Sequence, residues 1–540
     1  MSLGITPASG ELYGSTRGFC EERLAPTSIY RLLAAQGGRL FADEKFADLF
    51  DDVGRRSVPP RIVATVMVLQ RIEGASDREA VDRFAFDLRW KYAAGELATD
   101  YPGFAHTVLV DMRERLRASE QPNRIFEAAL EMAKDAGLVG RKRVLDSTAL
   151  YDAVATQDTV TMIRSAIRKL LGVVVGELQQ RMRSALKRDD DYGSAGKPTC
   201  DWDDAAAREA LVDALARDGY ALLALLDGCE LGAEIKQAGE LLATVLGQDL
   251  EQRDDGVFRI ARRVAVDRII STVDPEARHG HKTASRGFDG YKGHIAIDPD
   301  SEIITATEVT AGNAGDASVA EALLGDVLPP PAAGDDAQQP TAAVPETSSE
   351  QQPAESVEVY GDASYGTADL VEKVEAAGVE ANMKVQPPSP PRVGMFSQDD
   401  FAVDTHAGTV TCPRGVLVVL RTATDGSKVA DFGEHCDGCP MRAKCTLSKE
   451  GRSIRLHPKH AVLDRARKRQ RDPGWRARYR ATRPKVERKI AHLMRRKHGG
   501  RRARMRGALR VGHDFALLAA AINLARLAVL GVNGQASRMA

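Results

Sequence analysis

The sequence is sparing in aromatic residues, which make up 5% of its 540 positions, and neither charge sign dominates: 75 Lys and Arg stand against 76 Asp and Glu. The segment Met1 to Cys20 has no basic stretch followed by an apolar run, so no secretory signal is expected. Long uncharged hydrophobic runs are missing as well. The most apolar late stretch, residues 511–532, carries His513, Asp514, Asn523 and Arg526, which predicts a buried amphipathic helix and not a membrane span. With 43% hydrophobic and 28% charged residues the composition is that of a soluble globular protein, expected in the cytoplasm. The length exceeds what a single core holds, and three or four units are expected.

The formal charge of −1 hides an asymmetry. Residues 461–510 carry 20 Lys or Arg against three acids, Asp464, Asp472 and Glu487, so this segment is +17 and the rest of the chain −18. A solvated helix face is one account of such a run. A segment this basic repels itself without an anionic partner, and nucleic acid is the usual one.

Residues 26–119 read as helical. Pro59 and Pro60 open a run with Ile62, Val63, Val66, Leu69 and Ile72 at helical spacing, and Gly74 closes it. Ser76 stands three residues before Glu79, a capping box that predicts a helix over residues 77–92. The pair resembles a helix-turn-helix and offers Arg78, Arg83, Arg89 and Lys91 to phosphates; simple bundle packing explains it equally well. From Arg141 the texture becomes β-like, a short strand ending in Asp146. Residues 158–266 are helical again. Residues 287–298 and 302–310 alternate about a Pro299–Asp300 turn and predict a hairpin. Residues 329–356, rich in Pro, Ala, Gln, Glu and Ser, predict a disordered linker. A strand ending in Asp362 follows, then a helix over 368–377 and a further strand over 382–386.

Four of the seven cysteines, Cys412, Cys436, Cys439 and Cys445, fall within 34 residues, and Cys436-Asp-Gly-Cys439 forms a CxxC knuckle. In a cytosolic protein this spacing favours tetrahedral Zn²⁺ of a structural kind over disulfides, with His435 and His406 as substitute ligands. Cys20, Cys200 and Cys229 are isolated.

Asp146 and Asp362 each end a β-rich run and precede small or polar residues. Carboxylates at the ends of adjacent strands converge at one sheet edge, where divalent ions are held; either Asp alone also suits a turn or cap. Glu487 is the only acid between Gly474 and Arg510. It is either a salt-bridge partner or a metal ligand carried into a DNA-binding surface. Asp289, Asp298, Asp300 and Asp316 read as turn and edge residues. Lys292 and His294 fit either a DNA contact or a core role, and Trp475 either stacks on an unpaired base or anchors its helix.

Taken together, the strand Val-Leu-Asp146-Ser-Thr, the segment Gly290-Tyr-Lys-Gly-His, the strand Gly-Asp362-Ala-Ser-Tyr-Gly, the cysteine cluster and the Tyr479…Arg483…Glu487 signature resemble the bacterial insertion-sequence transposases with a DDE catalytic domain. Two departures stand out. The Tyr479–Arg483 spacing is one residue longer than the family's common spacing, and Met494 occupies the place of the signature's Lys, with Arg495 beside it. The resemblance implies an α/β fold, a ribonuclease-H-like mixed sheet. Around it come a helical N-terminal DNA-binding domain (1–125), a split core (140–157, 267–328, 357–387), a helical insertion (158–266) and a zinc-binding insertion (388–460). A basic helix with the third carboxylate and a core helix close the chain (461–540). It implies Asp146, Asp362 and Glu487 as catalytic ligands of two Mg²⁺, or Mn²⁺, and Tyr479, Arg483, Arg495 and Lys292 as DNA contacts. It implies cleavage and strand transfer on double-stranded DNA at transposon ends, by a homodimer. A nuclease that cuts without joining, or an inactive transposase-derived DNA-binding protein, are the alternatives.

Overall fold

The structure is a computed structural model that describes residues 16–532 apart from 52, 53, 55, 191, 284 and 329–355. The linker expected at 329–356, save its last residue, and residues 1–15 of the segment read for a secretory signal therefore lie outside the described residues.

The N-terminal region is helical, as its spacing predicts. Helix α1 (Pro60–Glu73) starts with a proline at its first turn and buries Ile62, Val63, Val66, Leu69 and Ile72. It stops at Gly74, whose φ of 65° suits glycine. A Cβ there would lie 2.3 Å from the Lys497 carbonyl oxygen, so the turn also needs glycine to let the basic segment approach. The Ser76–Glu79 capping box is present and opens α2 (Asp77–Phe86). The single helix expected over 77–92 is two, because Asp87 leaves the helix and caps Leu88–Ala93 by accepting from the Arg89 amide. Arg83 pairs with Glu73 and Arg89 with Asp87, and Lys91 is buried with Nζ on the Thr99 carbonyl. Of the four cations expected to face phosphates, Lys91 cannot, and Arg78 stays exposed.

The central region is a mixed α/β structure built on one mixed sheet. Its strands are β1 (Lys142–Tyr151), β2 (Arg278–Thr283), β3 (Arg286–Ile297), β4 (Ile304–Ala311), β5 (Glu358–Gly361) and β6 (Glu380–Met383). In space β4, β3 and β1 are antiparallel neighbours, and β1, β5 and β6 are parallel ones; β2 extends the β3 edge. That pattern matches the ribonuclease-H-like expectation. Two details differ. Asp146 lies inside β1, because Thr148 and Leu150 continue the buried alternation to Tyr151. The last strand covers 380–383, starting two residues and ending three residues before the expected 382–386.

Helix α3 (Ala368–Ala376) follows β5. The insertion forms four helices (Thr159–Val173, Gly176–Ala185, Ala205–Ala224, Ala233–Asp249) around its own core of residues such as Ile163, Ile167, Leu215 and Leu242. It ends in a small hairpin, Leu250–Gln252 with Phe258–Ile260, that the helical reading missed. The cysteine-bearing segment folds as two small three-stranded sheets.

The basic segment holds α4 (Pro473–Thr482) and α5 (Pro484–Leu493), and α6 (Ala508–Val529) follows. By length and composition α6 is apolar enough to cross a membrane, yet most of it is buried against β4, α1 and the helix Arg124–Asp135. Its polar residues are used: Asn523 exchanges two hydrogen bonds with the Ile304 backbone (2.9 and 2.8 Å), and Asp514 meets Arg71 at 3.2 Å. One core therefore joins the N-terminal helices to the sheet, through Leu69, Trp90, Val144, Ile295, Val486 and Leu518.

Candidate active site

Parallel pairing sets the first two carboxylates. Val144 lies opposite Tyr360, so two residues further along each chain Asp146 and Asp362 come side by side. The Asp362 loop is a turn in which Asp362 Oδ1 accepts from the Ser364 amide (2.9 Å) and its carbonyl from the Tyr365 amide (3.2 Å). Helix α5 packs on β1 and carries Glu487 in its first turn, 62% exposed.

The three acids meet at Arg483. Its guanidinium grips Asp146 with both terminal nitrogens, Nη2 to Oδ1 at 2.9 Å and Nη1 to Oδ2 at 3.2 Å. It also lies 3.8 Å from Asp362 Oδ2 and 3.6 Å from Glu487 Oε1. Tyr479, Arg483 and Glu487 are spaced four and four, which keeps all three on one helical face. Pro484 stands at the first position of α5, where its missing N–H costs nothing, and Arg483 keeps helical angles, so the face runs across the junction. The longer Tyr479–Arg483 spacing thus does not disturb the signature.

Burial raises the Asp146 carboxyl above its usual range, and the nearby Arg483 only partly offsets this. Burial alone would lower Arg483, but the charge of Asp146 and its hydrogen bond outweigh it and raise the guanidinium. Among the described residues no group of three or more His, Cys, Asp or Glu side chains is arranged so that it could hold a metal ion. For the triad the reason is visible, since a guanidinium stands between the oxygens. The donor set itself, three hard carboxylates round one positive charge, is of the kind that holds Mg²⁺ or Mn²⁺.

A second polar layer lies on the opposite face of the sheet, since Ser147 points away from Asp146. Ser147 Oγ donates to Asp316 (2.7 Å), and Lys292 Nζ donates to Asp316 (2.9 Å) and to the Ala314 carbonyl (2.7 Å). Lys292, expected to touch DNA, is turned inward. His294 is wholly buried, with Nδ1 3.1 Å from the Tyr365 hydroxyl and Nε2 2.9 Å from Thr310 Oγ1. Burial pushes the His294 pKa down to about 4, so the ring is neutral at ordinary pH. Asp316 and Tyr365 were not singled out as site residues from sequence. Asp316 follows β4 in a short polar loop and read as a turn, and nothing in Tyr365 but its place three residues after Asp362 marked it.

Tyr479 donates its hydroxyl to the Gly361 carbonyl (3.1 Å) and stacks on Trp475, ring centroids 4.9 Å apart. Trp475 is buried, which answers the choice between base stacking and anchoring in favour of the anchor. Arg495 is exposed just past α5, and Met494 is buried. Cys412, Cys436, Cys439 and Cys445 come together on one cavity with His435, and Cys436 Sγ accepts from the Arg452 amide (3.4 Å). All four thiols are free of disulfides, and His406 is not on that cavity.

Residues 411–528 match the family model described as Transposase DDE domain, which spans the cysteine cluster, Arg483 and Glu487. Residues 20–115 match a second one, described as Transposase domain (DUF772), over the N-terminal helices. No curated protein and no solved structure matches the chain. The strands bearing Asp146 and Asp362 lie between the two matched regions, and the fold brings them onto the matched helix that carries Glu487. These two matches support an insertion-sequence transposase with a DDE domain as the family that the chain resembles.

Proposed function

We propose that the protein binds the ends of its own insertion sequence as double-stranded DNA and cleaves and rejoins strands there, with Asp146, Asp362 and Glu487 as the catalytic carboxylates. The observation that carries this is the convergence of those three side chains on Arg483, within a segment with 20 Lys or Arg. Divalent Mg²⁺ or Mn²⁺ bound by these carboxylates would make a water or a 3′-hydroxyl nucleophilic and stabilise the leaving oxyanion. The three carboxylates supply the hard oxygen ligands. Asp146 is fixed by a strand and by the Ser147 amide, Asp362 by its turn, and Glu487 by the first turn of α5. Arg483 and the exposed Arg495 are the cations that would meet phosphates, in the bidentate manner arginine favours. Tyr479 ties α4 to the end of β5, and Lys292 supports the site from behind through Asp316. The Cys412, Cys436, Cys439 and Cys445 cluster would hold a structural Zn²⁺, supported by the shared cavity and the amide-to-sulfur bond. Joining two ends calls for two protomers, and the setting is the bacterial cytoplasm.

The test uses duplex DNA bearing the inverted repeats that flank the gene, one form intact and one pre-cut with a free 3′-hydroxyl. Wild-type protein with Mg²⁺ is expected to cut the first and insert the second into a target plasmid. Asp146→Asn and Glu487→Gln are expected to abolish both reactions while still shifting the DNA in a gel. Cleavage that survives Asp146→Asn overturns the assignment, and cutting without insertion reduces the protein to a nuclease.

A further inference from the structure

Arg483 and a divalent ion cannot hold the same oxygens at once. Mg²⁺ needs oxygen ligands at about 2.0–2.1 Å in near-octahedral array. The Arg483 guanidinium has both Asp146 oxygens at 2.9 and 3.2 Å and stands within 4 Å of the other two acids. A metal ion seated there would also face an adjacent, poorly solvated positive charge, since the Arg483 side chain is only 9% exposed. The guanidinium is not fully satisfied where it is. Its Nε is buried with no hydrogen-bond partner, and a planar five-donor group with an idle donor is matched better by a phosphate than by one carboxylate. Arg483 reaches the acids through a long flexible side chain, so it can exchange partners without moving α5.

We infer that Arg483 is a gate on the metal seat: it holds the three carboxylates until a DNA phosphate draws its guanidinium away, so that DNA binding and metal loading are coupled. This rests on the proposed catalytic role of the triad and adds an order of events to it. An enzyme gated in this way carries a charged metal centre only when its substrate is in place, which limits stray cutting.

Direct Mn²⁺ binding to the full-length protein, followed by the electron paramagnetic resonance signal of free Mn²⁺, reads the gate without any reaction. Wild-type protein alone is expected to bind Mn²⁺ about tenfold or more weakly than with a short inverted-repeat duplex present, in the usual range of site-to-site coupling. Arg483→Gln is expected to bind Mn²⁺ tightly without DNA and to gain little when DNA is added. Equal affinity of the wild type with and without DNA overturns the gate, and that comparison needs no variant to fold. A DNA effect that persists undiminished in Arg483→Gln also overturns it, because the phosphate would then be recruiting the ion by itself. Asp146→Asn in the Arg483→Gln background separates the two readings. Loss of Mn²⁺ binding there keeps the triad as the seat whatever the gate does, whereas retained binding removes the triad assignment and the gate with it.

Discussion

Lys489 Nζ lies 3.9 Å from Glu302 Oε2, and both groups are withdrawn from water, the lysine 1% exposed and the glutamate 13%. Glu302 belongs to the turn between β3 and β4, at an unusual φ of 60°, and it also accepts Arg488 at 2.6 Å. With Lys485 on Asp300 at 3.1 Å, these pairs fasten the helix that carries Glu487 to the edge of the sheet. Removing the acid and removing the base should therefore differ. Glu302→Gln strands a buried cation among Arg488, Arg495 and Arg526 and is expected to cost about 3 kcal/mol. Lys489→Met leaves Glu302 with Arg488 and is expected to cost less than about 1 kcal/mol. Urea denaturation measures both, and equal losses would refute the clamp.

The same lysine makes a pH prediction. Burial brings the Lys489 pKa down to about 8, with Glu302 only partly restoring it, while an unfolded chain has it near ~10.4. Between those values the unfolded state holds a proton that the folded state lacks, so stability contributed at this site rises with pH. Below about pH 8 both states are protonated and the contribution is flat. Measured against Lys489→Met, the wild type is expected to gain about 3 kcal/mol between about pH 7 and about pH 10. A constant difference across that range would show that the lysine titrates normally.

Tyr365 joins the Asp362 turn to the layer behind the sheet. Tyr365→Phe removes the hydroxyl that His294 Nδ1 uses and leaves a buried ring nitrogen without a partner, a loss of about 1–2 kcal/mol. Thr310 still engages Nε2, so the histidine should stay in place and the damage should stay local. The turn holding Asp362 is expected to loosen, which lowers cleavage while DNA binding is kept. Gel shift and cleavage on the same duplex check this, and unchanged cleavage would make Tyr365 a packing residue only.

Residue spacing was legible where physics is local. The Ser76–Glu79 box, the proline at the start of α1 and Gly74 at its end all follow from helix geometry and appear as expected. The hairpin about Pro299 and the β-rich runs before Asp146 and Asp362 were readable for the same reason. What could not be read is where long-range partners would take a side chain. Lys292 looks like a free cation in the sequence, and only the return of the chain at Asp316 turns it inward. Lys91 is drawn to a carbonyl eight residues on. Asp87 splits an otherwise continuous helix because a cap competes with the interior at that position. Nor does periodicity reveal that α6 would be shared by the sheet and the N-terminal helices, which makes one core of what the composition divides.

The cysteine cluster makes the last prediction, because it tests whether the proposed structural Zn²⁺ is separate from the proposed catalytic ion. Cys412, Cys436, Cys439 and Cys445 line one cavity, where Phe396, Phe401 and Phe432 are the largest apolar side chains. So small a core, with short strands, would gain stability from the proposed metal crosslink. Protein purified without chelator is expected to carry one Zn²⁺ per chain by elemental mass spectrometry. Cys436→Ser is expected to lose it and to unfold at lower urea, whereas Cys20→Ser and Cys229→Ser keep it. Asp146→Asn should retain full zinc while losing cleavage, since hard carboxylates and soft thiolates select different metals. Zinc missing from the wild type, or zinc lost on Asp146→Asn, would dissolve the division into two metal sites.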